Sequence, residues 1–116
     1  MDPIEQSNME IQQAKEFILK IYSKQPKKIA NLNIDEILDK DDELTDDIIE
    51  HLKYLDEYKK TFERYIEALR DIRTVTEEEK ASLWETNKVV MDRRDRTCRA
   101  KIRKRIWEYI EKSKRL

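Results

Sequence analysis

TDDIIEHLKYLDEYKKTFERYIEALRDIR, residues 45 to 73, carries two interleaved columns of mostly apolar side chains. Ile48, Leu55, Phe62 and Leu69 recur every seven positions, and His51, Tyr58, Tyr65 and Ile72 recur at the same interval three residues later. On an α-helix such columns lie side by side as one seam, and Leu52 and Ile66 widen it into a stripe. Acidic and basic residues fill most of the other face, and neither Gly nor Pro interrupts the run. The spacing predicts a helix over residues 46–73 that buries one side against other helices.

Upstream, Thr45 is placed to cap this helix, with Asp46 and Asp47 in the first turn where negative charge complements the macrodipole. Asn33 followed by Glu36 reads as a capping box that opens a short helix over residues 34–42, and the acidic run from Asp39 to Glu43 is expected to loosen its end. Ser7 followed by Glu10 makes the same arrangement before a first helix, residues 8–23, whose apolar face is Ile11, Ala14, Phe17, Ile18, Ile21 and Tyr22. Asp2 and Pro3 are expected to fray. Pro26 ends that first element, and Lys24, Lys27 and Lys28 make the connection polar and exposed.

Downstream, the β-branched run Thr74, Val75, Thr76 marks a stop, and Thr76 with Glu79 opens a final helix over residues 77–113. Its stripe runs through Ala81, Trp84, Lys88, Met91, Asp95, Cys98, Ile102, Ile106, Tyr109 and Ile110. An irregularity is expected near Asp95, where the stripe turns polar.

Composition agrees with this reading. The chain has 116 residues, 44% of them charged, with no Gly and two Pro, so the residues that build tight β-turns are scarce and long helices are favoured. A single all-helical domain, residues 1–116, is expected at this length. No apolar run approaches the roughly 18 residues of a membrane span, and the first residues lack the features of a secretion signal, so a cytoplasmic, intracellular protein without a membrane partner is expected. Cys98 stands alone, which excludes an internal disulfide and every Cys/His zinc spacing, and its place on an apolar stripe predicts a buried thiol.

The short link at Thr74 to Thr76 predicts that the two long helices form an antiparallel, coiled-coil-like hairpin. The expected alignment sets Trp84 opposite Ile66, Met91 near Lys59 and Phe62, Cys98 opposite Leu52, Ile102 opposite Ile48, and Lys59 within about one turn of Asp95. It also answers a charge asymmetry. The net charge is −1, yet residues 93–116 contain 11 Lys and Arg against 3 Asp and Glu, which leaves 14 against 23 for the rest. The alignment lays the basic run Arg99 to Arg105 beside Asp46, Asp47 and Glu50, where complementary charge fixes direction and register.

A hairpin with one short helical region leaves aromatic surface open. A C2 homodimer that completes a four-helix core is the expected assembly. Phe62, Tyr65, Leu69 and Trp84 toward the link, or Trp107 and Tyr109 at the other end, are the candidate anchors for a protein partner. The alternative is nucleic-acid binding by the basic final helix through Arg93, Arg96, Arg103, Lys104, Lys112, Lys114 and Arg115, with Trp107 or Tyr109 stacking on exposed bases. A pI near 6.0 and the absence of any helix-turn-helix or RNA-binding signature weigh against it. Asp47 and His51, with Glu50 or Asp95 nearby, are weak as metal ligands; His51 sits where a partly buried seam residue is expected, and pairing with a carboxylate is its other reading. No glycine-rich phosphate loop, catalytic triad ordering or paired-carboxylate motif occurs, so neither an enzyme nor a cofactor is expected. The layout looks like that of small helical chaperones, adaptors or regulatory subunits that hold a partner's helix; no motif is matched and no residue roles carry over.

Overall fold

A computed structural model describes residues 2–114, with the side chain of Lys114 outside the description. It is all-helical: α1 spans Pro3–Ile21, a 3-10 turn Pro26–Lys28, α2 Ile34–Lys40, α3 Asp42–Arg70 and α4 Glu77–Lys114, with no strand among the described residues. Lys114 as a side chain and Arg115 altogether, both named above as candidate contacts, lie outside the described residues.

Each helix boundary has a local cause. α1 starts before Asn8 because the Asp2 carboxylate accepts the Ile4 N–H at 2.9 Å and Pro3 occupies the first turn. Proline fits there, since its missing N–H would have no intrahelical partner. Asn33 caps α2 through Glu36 N–H at 3.1 Å, while the Glu36 side chain turns to Lys40 instead of closing the box. Thr76 caps α4 through Glu79 N–H at 3.1 Å, and the Glu79 carboxylate goes to Arg73.

The start of α3 departs from expectation. Asp41, not Thr45, is its cap: Asp41 Oδ1 accepts the Leu44 N–H at 3.0 Å and its carbonyl accepts the Thr45 N–H at 3.2 Å. The Thr45 hydroxyl is spent on the Leu38 carbonyl at 3.3 Å. The acidic run does interrupt the helix, since α2 ends at Lys40 and Asp41 is non-helical, but the break is a single residue; Asp42 and Glu43 form the first turn of α3, where their charge is favourable. α3 also ends earlier than expected, at Arg70, because the Arg73 N–H closes onto the Leu69 carbonyl at 3.0 Å and the Arg73 guanidinium is held by Glu79. Ile72 is consequently 79% exposed and leaves the seam.

The described residues group into two compact units. The first contains residues up to Glu50 together with those from Arg99 onward, and the second contains His51–Cys98. In the first, the buried apolar residues are Ala14, Phe17, Ile18 and Tyr22 of the N-terminal region, Ile34, Ile37 and Leu38 of α2, Leu44, Ile48 and Ile49 of α3, and Ile102 and Ile106 of α4. Lys15 on α1 pairs with Asp35 on α2 at 3.0 Å. Arg105 grips Asp41 with a two-pronged contact, Nε to Oδ2 and Nη2 to Oδ1, both 2.8 Å, and reaches Glu43 at 3.4 Å. These acids precede the expected partners Asp46, Asp47 and Glu50 by about a turn.

In the second unit, Phe62, Ile66 and Val75 form the core, with Leu69, Leu83 and Trp84 packed against them. His51 meets Asp95 at 2.7 Å, Phe62 meets Trp84 with ring centroids 5.0 Å apart, Lys80 pairs with Glu63 at 3.0 Å and Arg70 with Glu77 at 3.1 Å. As the α3 number rises, the α4 partner falls. The pairings differ in part from the expected ones: Asp95 finds His51 in place of Lys59, while Trp84 packs against the core that contains the expected Ile66 and meets the Phe62 ring one turn earlier. The early end of α3 accounts for this, because moving the reversal back moves pairings with it.

Candidate functional site

The second unit contains a continuous row of rings. The His51 ring, buried to 4% side-chain exposure by its surroundings, stacks near Tyr54 at 6.4 Å, and Tyr54 lies 5.9 Å from Tyr58. Tyr58 meets the edge of Trp84 at 6.3 Å, and Phe62 lies between Trp84 and Tyr65, the latter 6.4 Å away. The Arg94 guanidinium carbon sits 3.9 Å above the Tyr54 ring, a cation–π contact. Tyr58 donates its hydroxyl hydrogen bond to the Asn87 carbonyl.

Asp95 does not break α4, which is continuous from Glu77 to Lys114. Its carboxylate is accommodated in a largely buried position by the imidazole Nε2, as a buried polar group requires. His51 pairs with the Asp95 carboxylate; among the described residues no group of three or more His, Cys, Asp or Glu is placed to hold an ion. Cys98 is half-buried.

Two clefts flank Phe62. One, about 380 Å³, is lined by Lys59, Glu63, Glu77, Lys80, Ala81 and Trp84 besides Phe62. The other, about 470 Å³, is lined by Tyr54, Glu57, Tyr58, Thr61, Tyr65 and Asn87 besides Phe62. Of the anchors expected here, Phe62 is buried, Leu69 and Trp84 are half-buried, and Tyr65 is 47% exposed. The structure gathers Phe62, Leu69 and Trp84 in one core, with Tyr65 beside Phe62, and Tyr65 is the one of the four that is exposed.

Trp107 and Tyr109 belong to the first unit and have different environments. Trp107 is 57% exposed and lines a groove of about 700 Å³ with Tyr22, Lys27, Lys28, Arg103 and Lys104. Tyr109 is half-buried; the Glu36 carboxyl is held below the usual carboxylate range chiefly by Lys40, with a hydrogen bond from Tyr109 contributing. The basic residues expected to act together are divided. Arg93 and Arg96 are exposed in the second unit, whereas Arg103, Lys104 and Lys112 are exposed in the first, with the Lys112 charge helping Arg105 to hold the Asp41 carboxyl low. In the sequence Lys27 and Lys28 stand only as a polar, exposed connection. Their role beside Arg103 depends on a contact between distant parts of the chain, for which the local signal is only the Pro26-Lys27-Lys28 run.

No protein-family model, curated protein or solved structure matches this chain. No helix among the described residues is long and apolar enough to cross a membrane.

Proposed function

We propose that the protein is a non-enzymatic assembly module whose aromatic face in the second unit docks a second copy of the same chain. In this reading the α3 and α4 segments of that unit form an antiparallel, coiled-coil-like hairpin, and two hairpins complete a helical core across a two-fold axis. The observation that carries the reading is exposed apolar surface on both helical segments of this unit, of which Tyr65 lines the larger flanking cleft. Tyr65 is 47% exposed on the α3 side and Val90 61% exposed on the α4 side. Val90 lies three residues from Asn87, which lines this cleft, and four from Arg94, so the three share one side of the helix. Glu57 and Arg94 give the same face one charge of each sign, the composition a self-complementary contact needs.

The mechanism is burial of this surface, with Tyr65 as the aromatic anchor and the charges selecting orientation. Light scattering coupled to size-exclusion chromatography tests it. The wild-type chain is expected to run as a dimer that dissociates on dilution, and Tyr65→Ser with Val90→Ser as a monomer with an unchanged circular dichroism spectrum. A wild-type mass that stays monomeric at every concentration overturns the proposal. Phe62→Asp and Ile66→Asp are poorer tests, since both residues are buried and a carboxylate there would unfold the unit.

A further inference from the structure

The groove in the first unit has a character that self-association through the second unit does not use. Lys27 and Lys28 of the 3-10 turn face Arg103 and Lys104 of α4 across it, and no carboxylate lines it. All four cations are exposed, and none makes an ion pair among the described residues, including with Glu108 one turn beyond Lys104. Lys15, Lys40 and Arg105 of this unit have carboxylate partners, while Lys20 and Lys101 have none among the described residues; the four groove cations differ in lining one groove together. Four like charges gathered without a counter-charge are unfavourable unless an anion joins them.

The remaining lining narrows the choice of anion. Trp107 offers a ring that is 57% exposed. Gln25 and Asn31 supply amides that both donate and accept, which suits the edges of bases and is not required by a carboxylate. Tyr22 forms the buried floor of the groove that Arg103 also lines; burial pushes its phenol up, and the Arg103 charge pulls it partly back. The volume of about 700 Å³ suits a ligand on the scale of a nucleotide.

We propose that this groove binds single-stranded nucleic acid, with a base stacked on Trp107 and adjacent phosphates held by Lys27, Lys28, Arg103 and Lys104. Cations that track a backbone beside an aromatic platform are the combination by which single strands are held without a duplex groove to read. An acidic peptide would satisfy the cations and leave the amides and the stacking face unused.

Gel-shift titration of the full chain with oligo-dT and oligo-rU of about eight nucleotides tests this, with a hairpin duplex and poly-glutamate as competitors. Binding is expected at low salt, weakening with a log–log slope of about −2 to −3 if four phosphates are neutralised at about 0.7 each. Lys27→Glu with Lys28→Glu should weaken binding at least tenfold and flatten the slope. Trp107→Ala should weaken it about tenfold while leaving the slope nearly unchanged, because stacking releases no counterions. Arg93→Glu with Arg96→Glu, outside the groove, should have less than a threefold effect. Absence of binding at low salt, tighter binding of poly-glutamate than of oligo-dT, or full binding by Trp107→Ala overturns the proposal. The substituted positions are exposed, circular dichroism checks that each variant keeps the wild-type fold, and the dimer test above reads out separately from this one.

Discussion

Replacing Asp41 isolates a carboxylate with two duties. Its Oδ1 caps α3 through Leu44 N–H, and both oxygens take the Arg105 fork at 2.8 Å. A lost cap costs about 1 kcal/mol, within a range of 0.5–2. The fork is partly exposed, with side-chain exposures of 27% for Asp41 and 36% for Arg105, so solvent screening limits it. Its two-pronged geometry keeps it near the upper end for such pairs, about 1 kcal/mol. Asp41→Ala should therefore destabilise by about 2 kcal/mol, and Asp41→Asn, which retains the cap but not the charge, by about 1. Arg105→Met should also cost about 1 kcal/mol, and the double variant should show that Asp41→Asn and Arg105→Met share the same contribution. Urea unfolding followed by circular dichroism measures each value. Acid provides a second readout. Arg105 first, then the Leu44 N–H, holds the Asp41 carboxyl below its ordinary range against the opposing effect of burial. The native state thus binds this proton less readily than the unfolded chain. The stabilisation is complete above the ordinary carboxylate value near 4 and is lost as pH falls through the depressed native value. Arg105→Met should remove most of that acid sensitivity. If Asp41→Asn proves as damaging as Asp41→Ala, or the two single effects simply add, the division of labour is wrong.

His51→Ala should cost about 2–3 kcal/mol in urea unfolding, since a buried ring and its hydrogen bond to Asp95 are both removed, and a cost below 1 would show that the pair is not structural. Tyr58→Phe removes the hydroxyl that bonds the Asn87 carbonyl and keeps the ring against Trp84, so a loss of about 1 kcal/mol is expected, to be read from the same unfolding curves.

The helical architecture was legible because its signals are local. Asn33 and Thr76 each lie within three residues of the N–H they cap, and the stripe from Ile48 to Leu69 is visible in a single helix. Competition between nearby candidates was harder to resolve. Ser7 and Thr45 have suitable chemistry, but Asp2 with Pro3 and Asp41 take the caps earlier, adding more helix at each start. The sevenfold columns hold only in part: His51 is buried, Tyr58 half-buried and Tyr65 exposed, as 3.6 residues per turn carries a strict sevenfold column about 20° sideways at each repeat. Ile66 takes over at the fully buried position. Pairings between helices were legible in kind, since the seam residues Phe62 and Trp84 do meet, but not in alignment, which depends on where α3 stops. The groove was the least legible feature, because Lys27 and Lys28 are brought to Arg103 only by the tertiary fold.

The two tryptophans are divided between the units, Trp84 half-buried against Phe62 in one and Trp107 largely exposed in the other. Nature has thereby installed one intrinsic fluorophore per unit, with the sheltered indole emitting at shorter wavelength than the wet one. Chains carrying Trp84→Phe or Trp107→Phe would each report optically on a single half of the molecule, so whether the halves melt together or in sequence can be watched without attaching any dye.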